Sequence, residues 1–529
     1  MNRSNQRKKS RILRGAGLLL ATLFTCHLSP TAAFAQAELR TEAQASFSGG
    51  ATPLWLNANK YGLSSLDKGN GYVRVGAFRP QQTDSARRWD WSAGVDMAVA
   101  AGYTSTVTVQ QAYAELRWLK GLLTVGSKEQ PLELKDQRLS TGSQTLGINA
   151  RPVPAVRLSL PEYWDIPGLN HWLGVKGHIS YGLTTDSRWQ KDFTAQRSDH
   201  SENVRLHTKA GYIRIGQPQR PLTVEIGMEM GCQYGGTSHI FINGQEQRLE
   251  NEAGLKGAWH ALVPGGEEAL ERDIVYKNTS GNHVGSYVAR VNYDQPTWGI
   301  SAYADHVFDD QSQMFFFSNN SYGQDGRSWQ EKGDKYLMFS FKDIMLGVEL
   351  RLKDCAWLEK LVAEYLYTKS QSGPIYHDHS ERLLDHISAL DDYYNHSVFA
   401  SWQHWGQVMG NPLYRSPVYN DDGRLTVKDN RFTAWHMAAT GTPLGGVRYR
   451  LMLTWQRGLG TYRHPYPNPR NNFSLMAEAE VKPSALSLQA PFFRGMTVKG
   501  AFGLDRGSLL GDNTGFQLTV AKTFNLPHR

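Results

Sequence analysis

The chain lacks any apolar run long enough to cross a bilayer as a helix. Its longest apolar stretch, Gly15 to Leu28, is about 14 residues, whereas a spanning helix needs ~20. It also lacks linkers, because no Ser/Gly-rich, Pro-rich or charge-block tract divides it. This argues against the several domains that soluble chains of this length usually form. The signatures G-x-S-x-G and H-E-x-x-H are absent too, which removes the enzyme classes that they mark.

The N-terminal segment has the parts of a secretory signal. Six cationic residues precede the apolar stretch: Arg3, Arg7, Lys8, Lys9, Arg11 and Arg14. Ala33-Phe34-Ala35 then offers a small-x-small cleavage site before Gln36. We therefore predict a signal peptide over 1–35 and one barrel domain, with a plug and long loops, over 36–529. A lipoprotein signal fits less well, because bulky Leu23 and Phe24 precede Cys26.

The basic charge of the precursor belongs mostly to this signal. The whole chain carries +8, and removing the six cationic residues of the signal, which contains no acidic one, leaves about +2. We therefore predict no nucleic-acid partner. After the loss of Cys26, only Cys232 and Cys355 remain to pair in an oxidising periplasm, and the sequence leaves their pairing open.

Apolar and polar residues alternate along many segments, which is the period of a β-strand. Clear examples are 39–48, 204–212, 222–230, 447–456 and 473–481. Charged residues recur on the second face, and we estimate roughly 16 to 20 such segments, as expected when one face meets lipid and the other a lumen. The chain is also rich in glycine, at 51 residues, and in aromatic residues, at 11%. A secreted soluble β protein is the alternative.

Two further features favour a barrel. Aromatic residues stand at predicted strand ends, as interfacial girdles require: Trp89, Trp91, Trp118, Trp298, Tyr365 and Tyr367. The last predicted strand alternates from Phe516 to Phe524 and resembles the assembly signal of outer-membrane proteins, although Lys522 interrupts its apolar face. We therefore predict an all-β transmembrane antiparallel β-barrel in the outer membrane, with lipid and the barrel-assembly machinery as partners.

Several segments lack the period of two and are long for hairpin turns. They are 49–68, 139–170, 233–283 and 309–335. Residues 380–392 predict a short helix, because Leu383, Leu384 and Ile387 fall on one face. Such insertions form long outer loops or fold into the lumen as a plug.

Five stretches carry a resemblance to a known family. They are TPLWLNANKYG (52–62), LSTGSQTLGINARPVPAVRL (139–158), FKDIMLGVEL (341–350), EYLYTKSQSGPIYHD (364–378) and YYNHSVFASWQHWGQVMGNPL (393–413). Together they resemble the Wzi-type capsule-assembly proteins of Gram-negative bacteria, in the form common among Bacteroides-like organisms. The resemblance implies a barrel of about eighteen strands narrowed by a small helical element. It also implies a surface lectin that holds capsular polysaccharide on the cell.

The segment 393–414 is the best candidate for sugar contact. Aromatic faces pack on the apolar side of a sugar ring, while amides bind its hydroxyls. The candidate residues are Tyr393, Tyr394, Asn395, His396, Trp402, Trp405, Asn411 and Tyr414. The alternative is a strand whose aromatics belong to the girdle. For Trp55, Asn57 and Asn59 the alternative to sugar contact is a plug that packs on the barrel wall.

We predict no catalytic, metal or cofactor site. His377, Asp378, His379 and His386 match no standard metal-ligand spacing, so a solvated loop is the better interpretation. Dispersed catalytic groups among the 17 histidines would escape a motif search, but an enzyme is not the expectation.

Predicted lumen-facing charges leave a porin as the main alternative function. The basic set is Arg40, Arg205, Lys209, Arg448 and Arg450; the acidic set is Glu42, Glu225, Glu229, Glu478 and Glu480. Such residues either line an ion-selective channel or form a cross-strand network that fills the lumen.

We expect the mature protein to begin near Gln36 and to fractionate with the outer membrane. The physical reason is a removable signal followed by strands that need lipid. N-terminal sequencing of membrane fractions tests this. Retention of residues 15–28, or recovery from the soluble periplasm, would contradict it.

Overall fold

The computed structural model describes residues 37–81, 88–264, 280–309, 320–322, 329–331, 343–371, 392–486 and 490–525. Eighteen strands within them form a single closed sheet in which sequential neighbours are antiparallel. The predicted all-β barrel and its strand number are therefore confirmed. The predicted signal, the helix over 380–392 and the histidines near 377–386 lie outside the described residues, apart from position 392.

The barrel strands run once around the wall in chain order. They are β1 Glu38–Gly49, β2 Gly69–Arg79, β3 Trp89–Ala101, β4 Val107–Trp118, β5 Gly121–Ser127, β6 Ala155–Asp165, β7 Leu173–Leu183, β8 Arg205–Ile215, β9 Leu222–Tyr234, β10 Asn282–Asp294, β11 Trp298–Asp309, β12 Ile344–Leu352, β13 Lys360–Tyr367, β14 Phe432–Leu444, β15 Val447–Gly460, β16 Pro465–Val481, β17 Met496–Gly507 and β18 Asn513–Asn525.

The connections contain short helices and small sheets. The α-helices are α1 Leu54–Asn57, α2 Ser187–Phe193 and α3 Gly254–Leu262, and 3₁₀ turns cover Pro417–Tyr419, Pro483–Leu486 and Pro491–Phe493. A three-stranded sheet, called the loop sheet below, combines His200–Glu202, Thr237–Ile242 and Gln245–Glu250. Two-stranded pairs join Asn320–Tyr322 with Trp329–Glu331, Asn395–His396 with Ala400–Ser401, and Gln403–His404 with Gln407–Val408. Among the helices that the structure describes, none has the length and apolar character needed to cross a membrane.

The first and last strands close the barrel. β1 pairs with both β2 and β18, and its register with β18 places Leu39 opposite Phe524 and Phe47 opposite Phe516. Closure matters because backbone groups facing hydrocarbon have no water to bind and must pair within the sheet. Lys522, which interrupts the apolar face of β18, donates to the Phe492 carbonyl at 2.7 Å.

The outward face of the wall is apolar, as the alternation predicts. On β15, Leu451 and Leu453 are 44% and 39% exposed, whereas the intervening Met452 is only 3% exposed. Large apolar side chains repeat this pattern on other strands, with Val95, Met97 and Val99 pointing outward from β3. This surface has the character of a lipid-facing band.

Aromatic side chains mark both edges of that band. Trp89, Trp118, Trp298 and Trp357 are exposed near one end of the barrel, and Phe47, Trp435, Trp455 and Phe516 are exposed near the other. The girdle predicted from Trp89, Trp91, Trp118 and Trp298 is therefore confirmed on the outer surface, while Tyr365 and Tyr367 are half-buried. Tyr365 packs against Trp435, with ring centroids 4.5 Å apart.

The two ends of the barrel differ in their connections. One end, the short-turn end, has tight links such as 119–120 and 445–446. The start of β1 and the end of β18 also lie there. The other, the long-loop end, has the connections 50–68, 128–154 and 368–431. Outer-membrane barrels place short turns in the periplasm and long loops outside the cell, so the long-loop end is the cell-surface end.

Three of these long connections fold back into the barrel. Residues 50–68, 128–154 and 392–431, called the plug below, supply side chains to the main buried apolar cluster. Trp55, Leu139 and Trp402 of the plug meet Met345 and Leu366, which point inward from β12 and β13. The plug that the sequence left open for 49–68 is confirmed, and it explains why apolar residues also occupy inward-facing wall positions.

Candidate functional site

Buried carboxylates on the barrel wall hold the central plug segment. Asp305 of β11 pairs with Lys135 of the plug at 2.8 Å, and both side chains are almost completely buried. The backbone N–H of Gln144 also donates to Asp305, at 3.0 Å. Removing one partner of a buried ion pair costs about 3–5 kcal/mol, because the other charge is left uncompensated. This contact therefore fixes the plug strongly.

Two further wall carboxylates bind the same segment. Glu364 of β13 accepts hydrogen bonds from the Ser140 hydroxyl at 2.6 Å and the Thr141 N–H at 2.8 Å. Glu229 of β9 accepts from the Ser143 hydroxyl at 2.7 Å and from the Tyr212 hydroxyl at 2.9 Å. Hydrogen bonds to charged acceptors are stronger than neutral ones. The serine- and threonine-rich run 140–145 is thus a set of donors for the wall.

A directed chain of hydrogen bonds joins two plug segments through the wall. The Trp55 indole N–H donates to the Thr454 hydroxyl at 2.9 Å, and that hydroxyl lies 2.7 Å from His436 Nδ1. On its other side, His436 Nε2–H donates to the Leu139 carbonyl at 2.8 Å. Trp55 is thereby a buried plug residue and offers no free face for sugar contact.

The neighbouring asparagines also hold the plug. Asn57 donates to the Thr52 and Pro53 carbonyls at 3.0 and 3.1 Å. Asn59 donates to the Thr141 carbonyl at 2.9 Å and so connects two plug segments. Both side chains therefore stabilise the plug by hydrogen bonds within it.

Charges predicted to face the lumen form a network rather than an open ring. Arg138 of the plug pairs with Glu478 at 3.1 Å and Glu480 at 3.3 Å on β16. Arg450 of β15 pairs with Glu478 at 2.9 Å and donates to the Arg138 carbonyl at 3.1 Å. Lys360 meets Asp136 at 2.5 Å. In this part of the lumen, the two signs of charge cross-link wall and plug.

Most of the predicted sugar-contact segment lies inside this plug. Tyr393, Tyr394, Trp402, Asn411 and Tyr414 are at most 1% exposed. The Tyr394 and Tyr414 rings stack with centroids 4.1 Å apart, and the Trp402 N–H donates to the Thr145 carbonyl at 3.2 Å. The structure corrects the expectation that these five residues contact a polymer, because their side chains are buried within the plug.

The remaining three predicted residues are partly accessible. Asn395 donates to the Val427 carbonyl at 2.9 Å, and His396 Nδ1 accepts from the Val398 N–H at 3.1 Å. Trp405 is half-buried at the long-loop end. Carbohydrate contact by these three stays a prediction.

Two glycines allow the close packing of these buried aromatic residues. A Cβ added at Gly231 of β9 would overlap the Trp402 ring. A Cβ at Gly410 would likewise overlap the Tyr394 hydroxyl and the Gln144 carbonyl. Glycine at such positions lets a large ring or another backbone approach closely. A glycine opposite an aromatic residue is recognisable only once the two are known to meet.

Trp405 belongs to an aromatic cluster that the sequence did not predict. Its ring centroid lies 6.4 Å from that of Trp189 on α2, which stacks on Phe193 at 4.9 Å. The Arg151 guanidinium lies over the Trp405 ring at 4.1 Å. All three aromatic rings are partly exposed. We call Trp189, Phe193, Trp405 and Arg151 the aromatic cluster.

Hydrogen bonds to neighbouring polar groups hold Trp405 in place. Its backbone N–H donates to Asp186 at 3.0 Å, and its indole N–H donates to the Thr185 hydroxyl at 3.0 Å. His404 Nδ1–H donates to the Arg151 carbonyl at 2.8 Å, while Nε2 accepts from the Thr185 N–H at 3.1 Å. Burial lowers the pKa of His404 and so favours the neutral ring that this pattern requires. The cluster is thus preorganised on the plug.

A basic surface lies at the same end, around the β15–β16 hairpin. Arg431 sits over Tyr462 at 3.5 Å, and Arg470 over Tyr466 at 4.2 Å. Arg463 next to them is exposed. Within the part of the chain that the structure describes, none of these three guanidinium groups forms an ion pair with a carboxylate. This surface is suited to anionic groups.

A cavity of about 160 Å³ remains between the plug and the wall. Its lining includes Arg157, His178, Tyr212, Glu229 and Trp402. Typical small-molecule sites are larger, at roughly 300–1,000 Å³. The space suits a few water molecules beside these polar groups.

Cys232 and Cys355 are not joined to each other by a disulfide. Cys232 is buried on β9, with its sulfur 3.5 Å from His283 Nε2. Cys355 lies in the short turn between β12 and β13, at the opposite end of the barrel. The disulfide that the sequence left open is therefore not formed.

Comparison with known proteins yields matches among solved structures alone. No family model and no curated protein matches the chain. Pseudomonas aeruginosa OccK5 (OpdH) matches with a TM-score of 0.45 and 9% identity, covering 92% of this chain and 97% of that chain. Pseudomonas aeruginosa OprD gives 0.43 and 8%, covering 93% and 95%, and Acinetobacter baumannii OccAB4 gives 0.43 and 8%, covering 92% and 98%. The closed wall, its apolar band and its two aromatic girdles make this chain an outer-membrane β-barrel protein.

Proposed function

We propose that this protein holds capsular or related surface polysaccharide at the cell surface without changing it chemically. The filled lumen is the observation that carries the proposal. Buried ion pairs and a continuous apolar cluster occupy the interior where an open porin would hold water. The barrel then serves as an anchor, and its accessible chemistry lies at the long-loop end. The resemblance to Wzi-type capsule-assembly proteins points the same way.

The aromatic cluster is the best candidate for sugar contact. Trp189, Phe193 and Trp405 offer partly exposed rings on a rigid support, and Arg151 supplies donors beside them. Aromatic faces suit the CH-rich side of a sugar ring. The arginines beside Tyr462 and Tyr466, which form no ion pair with a described carboxylate, favour a polymer that carries carboxylates or other anionic groups.

In this proposal, retention of the polysaccharide depends on many weak contacts. A stacking ring contributes about 0.5–1.5 kcal/mol beyond its buried area. A single repeat unit therefore binds weakly, whereas a long polymer that meets many barrels is held by avidity. Outer-membrane lipid and the barrel-assembly machinery are the further partners in this proposal.

Deletion of the gene should leave polymer synthesis intact but release polymer into the medium. The Trp189→Ala/Trp405→Ala double variant should release part of it, because the contact surface is lost while the wall is unchanged. Cell-bound and shed polysaccharide are measured after gentle centrifugation. Trp357→Ala, at an exposed tryptophan of the short-turn end, is the matched control and should retain the polymer. Loss of synthesis in the deletion strain, or full retention, would refute the proposal; wild-type retention by the double variant would refute the cluster.

A second candidate function is a narrow channel for small solutes or oligosaccharides. The cavity between plug and wall favours it, because Arg157, Glu133 and Lys128 are among the residues that line this space. Planar-bilayer recording of the wild-type protein separates the two functions. Steady large openings favour the channel, and silence favours the anchor.

A further inference from the structure

The loop sheet places two histidines and a glutamate on one face. His200 is the register partner of His239, and Glu202 is the partner of Thr237, two residues along each strand. Residues two apart share a face of a sheet, and directly opposed residues are neighbours. One nitrogen from each histidine and one oxygen from Glu202 consequently lie within 4.8 Å of one another.

Hydrogen bonds fix both imidazole rings in the orientation of metal ligands. His200 Nδ1–H donates to the Ser198 carbonyl at 3.0 Å, and His239 Nδ1–H donates to Glu246 at 2.5 Å. With Nδ1 as the donor, Nε2 of each neutral ring keeps a lone pair that can bind a metal ion. Metal-binding histidines are characteristically held by such a bond from the other ring nitrogen.

A histidine nitrogen and a carboxylate oxygen face one another in that space. His239 Nε2 is buried without a hydrogen bond, although Glu202 Oε1 lies 2.9 Å away. In the neutral ring with the proton on Nδ1, the Nε2 lone pair lies beside the carboxylate oxygen, where a metal ion could bind both. The His200 and His239 rings stack parallel, with centroids 4.6 Å apart and a 2° angle. A metal ion between these atoms would bind all three side chains.

We infer that His200, Glu202 and His239 form a binding site for a divalent transition-metal ion of the zinc class. Two imidazole nitrogens and one carboxylate oxygen suit Zn²⁺ or Co²⁺, whereas Ca²⁺ and Mg²⁺ prefer oxygen ligands alone. Tetrahedral bonds of ~2.0–2.1 Å put ligand atoms about 3.3 Å apart, so small side-chain rotations close the site. Water supplies the fourth ligand.

Lys191 competes with the metal for Glu202. Its ammonium lies 2.5 Å from Glu202 Oε1, on a side chain that is 37% exposed. The lysine balances the carboxylate while the site holds no ion and can swing into solvent when one binds. Removing its charge should therefore strengthen metal binding.

The site connects two loops at the cell-surface end. His200 and Glu202 lie between β7 and β8, whereas His239 lies between β9 and β10. A bound ion would cross-link these connections. Sequence analysis, which predicts no metal site, missed the set because His239 lies 37 positions after Glu202 and meets it through strand pairing.

The test uses the mature barrel, folded in detergent and stripped with a chelator. Titration calorimetry with Zn²⁺ should give one saturable site, and Co²⁺ should give the visible absorption of a tetrahedral nitrogen–oxygen site. His239→Ala and Glu202→Gln should abolish saturable binding. Glu246→Gln should weaken it about 10–100-fold, because it removes the bond that orients His239. Lys191→Gln should tighten it.

His171→Ala is the matched control, since His171 is exposed at the short-turn end beside Asp165. Heat-modifiable gel mobility shows that each variant remains folded. Saturable binding that persists unchanged in the His239 and Glu202 variants would overturn the inference, as would a wild-type protein that binds neither ion. If a ligand variant fails to fold, tighter binding by folded Lys191→Gln still supports the site, and unchanged affinity there counts against it.

Discussion

Removing the central plug segment should turn a silent barrel into a conducting one. Residues 128–154 leave β5 and return to β6, where Gly126 and Ala155 are direct register partners. A short turn can therefore replace 130–152 without moving either strand. The deletion takes away Lys135 and the donors to Glu229 and Glu364. We expect steady openings in planar bilayers where the wild type stays closed.

A point variant gives a graded version of the same experiment. Asp305→Ala leaves Lys135 buried without its partner, which should destabilise the plug by about 3–5 kcal/mol and produce brief openings. Glu250→Ala is the control, because that carboxylate is 65% exposed on the loop sheet, where it pairs with Arg248 and accepts from the Thr237 hydroxyl. Large steady conductance in the wild type, equal to that of the deletion, would show that the plug does not close the lumen.

Leu451→Arg should hinder folding into lipid by about 2–4 kcal/mol. Leu451 faces outward from β15, within the apolar band between the two aromatic girdles. An arginine there must enter hydrocarbon, whereas near an interface the same substitution costs about 0–1 kcal/mol. Leu444→Arg is the matched control, because Leu444 is exposed beside the short turn at 445–446. Folding into lipid vesicles at graded urea concentrations measures both.

Equal effects of Leu451→Arg and Leu444→Arg would contradict the depth assigned to these residues. Arg450→Leu compares the inward-facing side of β15 with its lipid-facing side in the same folding measurement. The structure changes the meaning of that comparison, because Arg450 binds Glu478 and the Arg138 carbonyl rather than lumen water. Its cost should therefore appear in plug closure and conductance more than in insertion into lipid.

The wall of this barrel was predictable because its signal is local. Alternation such as Tyr449–Arg450–Leu451 indicates which side of a strand meets lipid, and it does so within a few residues. The closing strand was visible for the same reason, since Phe516 and Leu518 alternate with Gln517 and Thr519 on β18. Backbone groups that face lipid must pair within the sheet, so a lipid-facing alternation also predicts a closed wall.

The candidate site was only partly predictable because alternation cannot tell a water-filled lumen from a packed one. A polar inward face suits both, as Asp305 and Glu364 show by binding plug residues. The sequence predicts sugar contact for Trp402 and Tyr414 because they are aromatic. It does not show whether an aromatic side chain is buried or exposed.

The sequence by itself determined the class of the protein: an exported chain whose period-two strands have a lipid-facing side. The tertiary structure decided what fills the interior and what remains accessible. Trp55 reaches Thr454, and Trp405 meets Trp189, through contacts between residues hundreds of positions apart. Such contacts depend on how loops return into a closed wall. Their energies arise from packing and buried charge where two distant segments meet. No single segment of the sequence contains both partners.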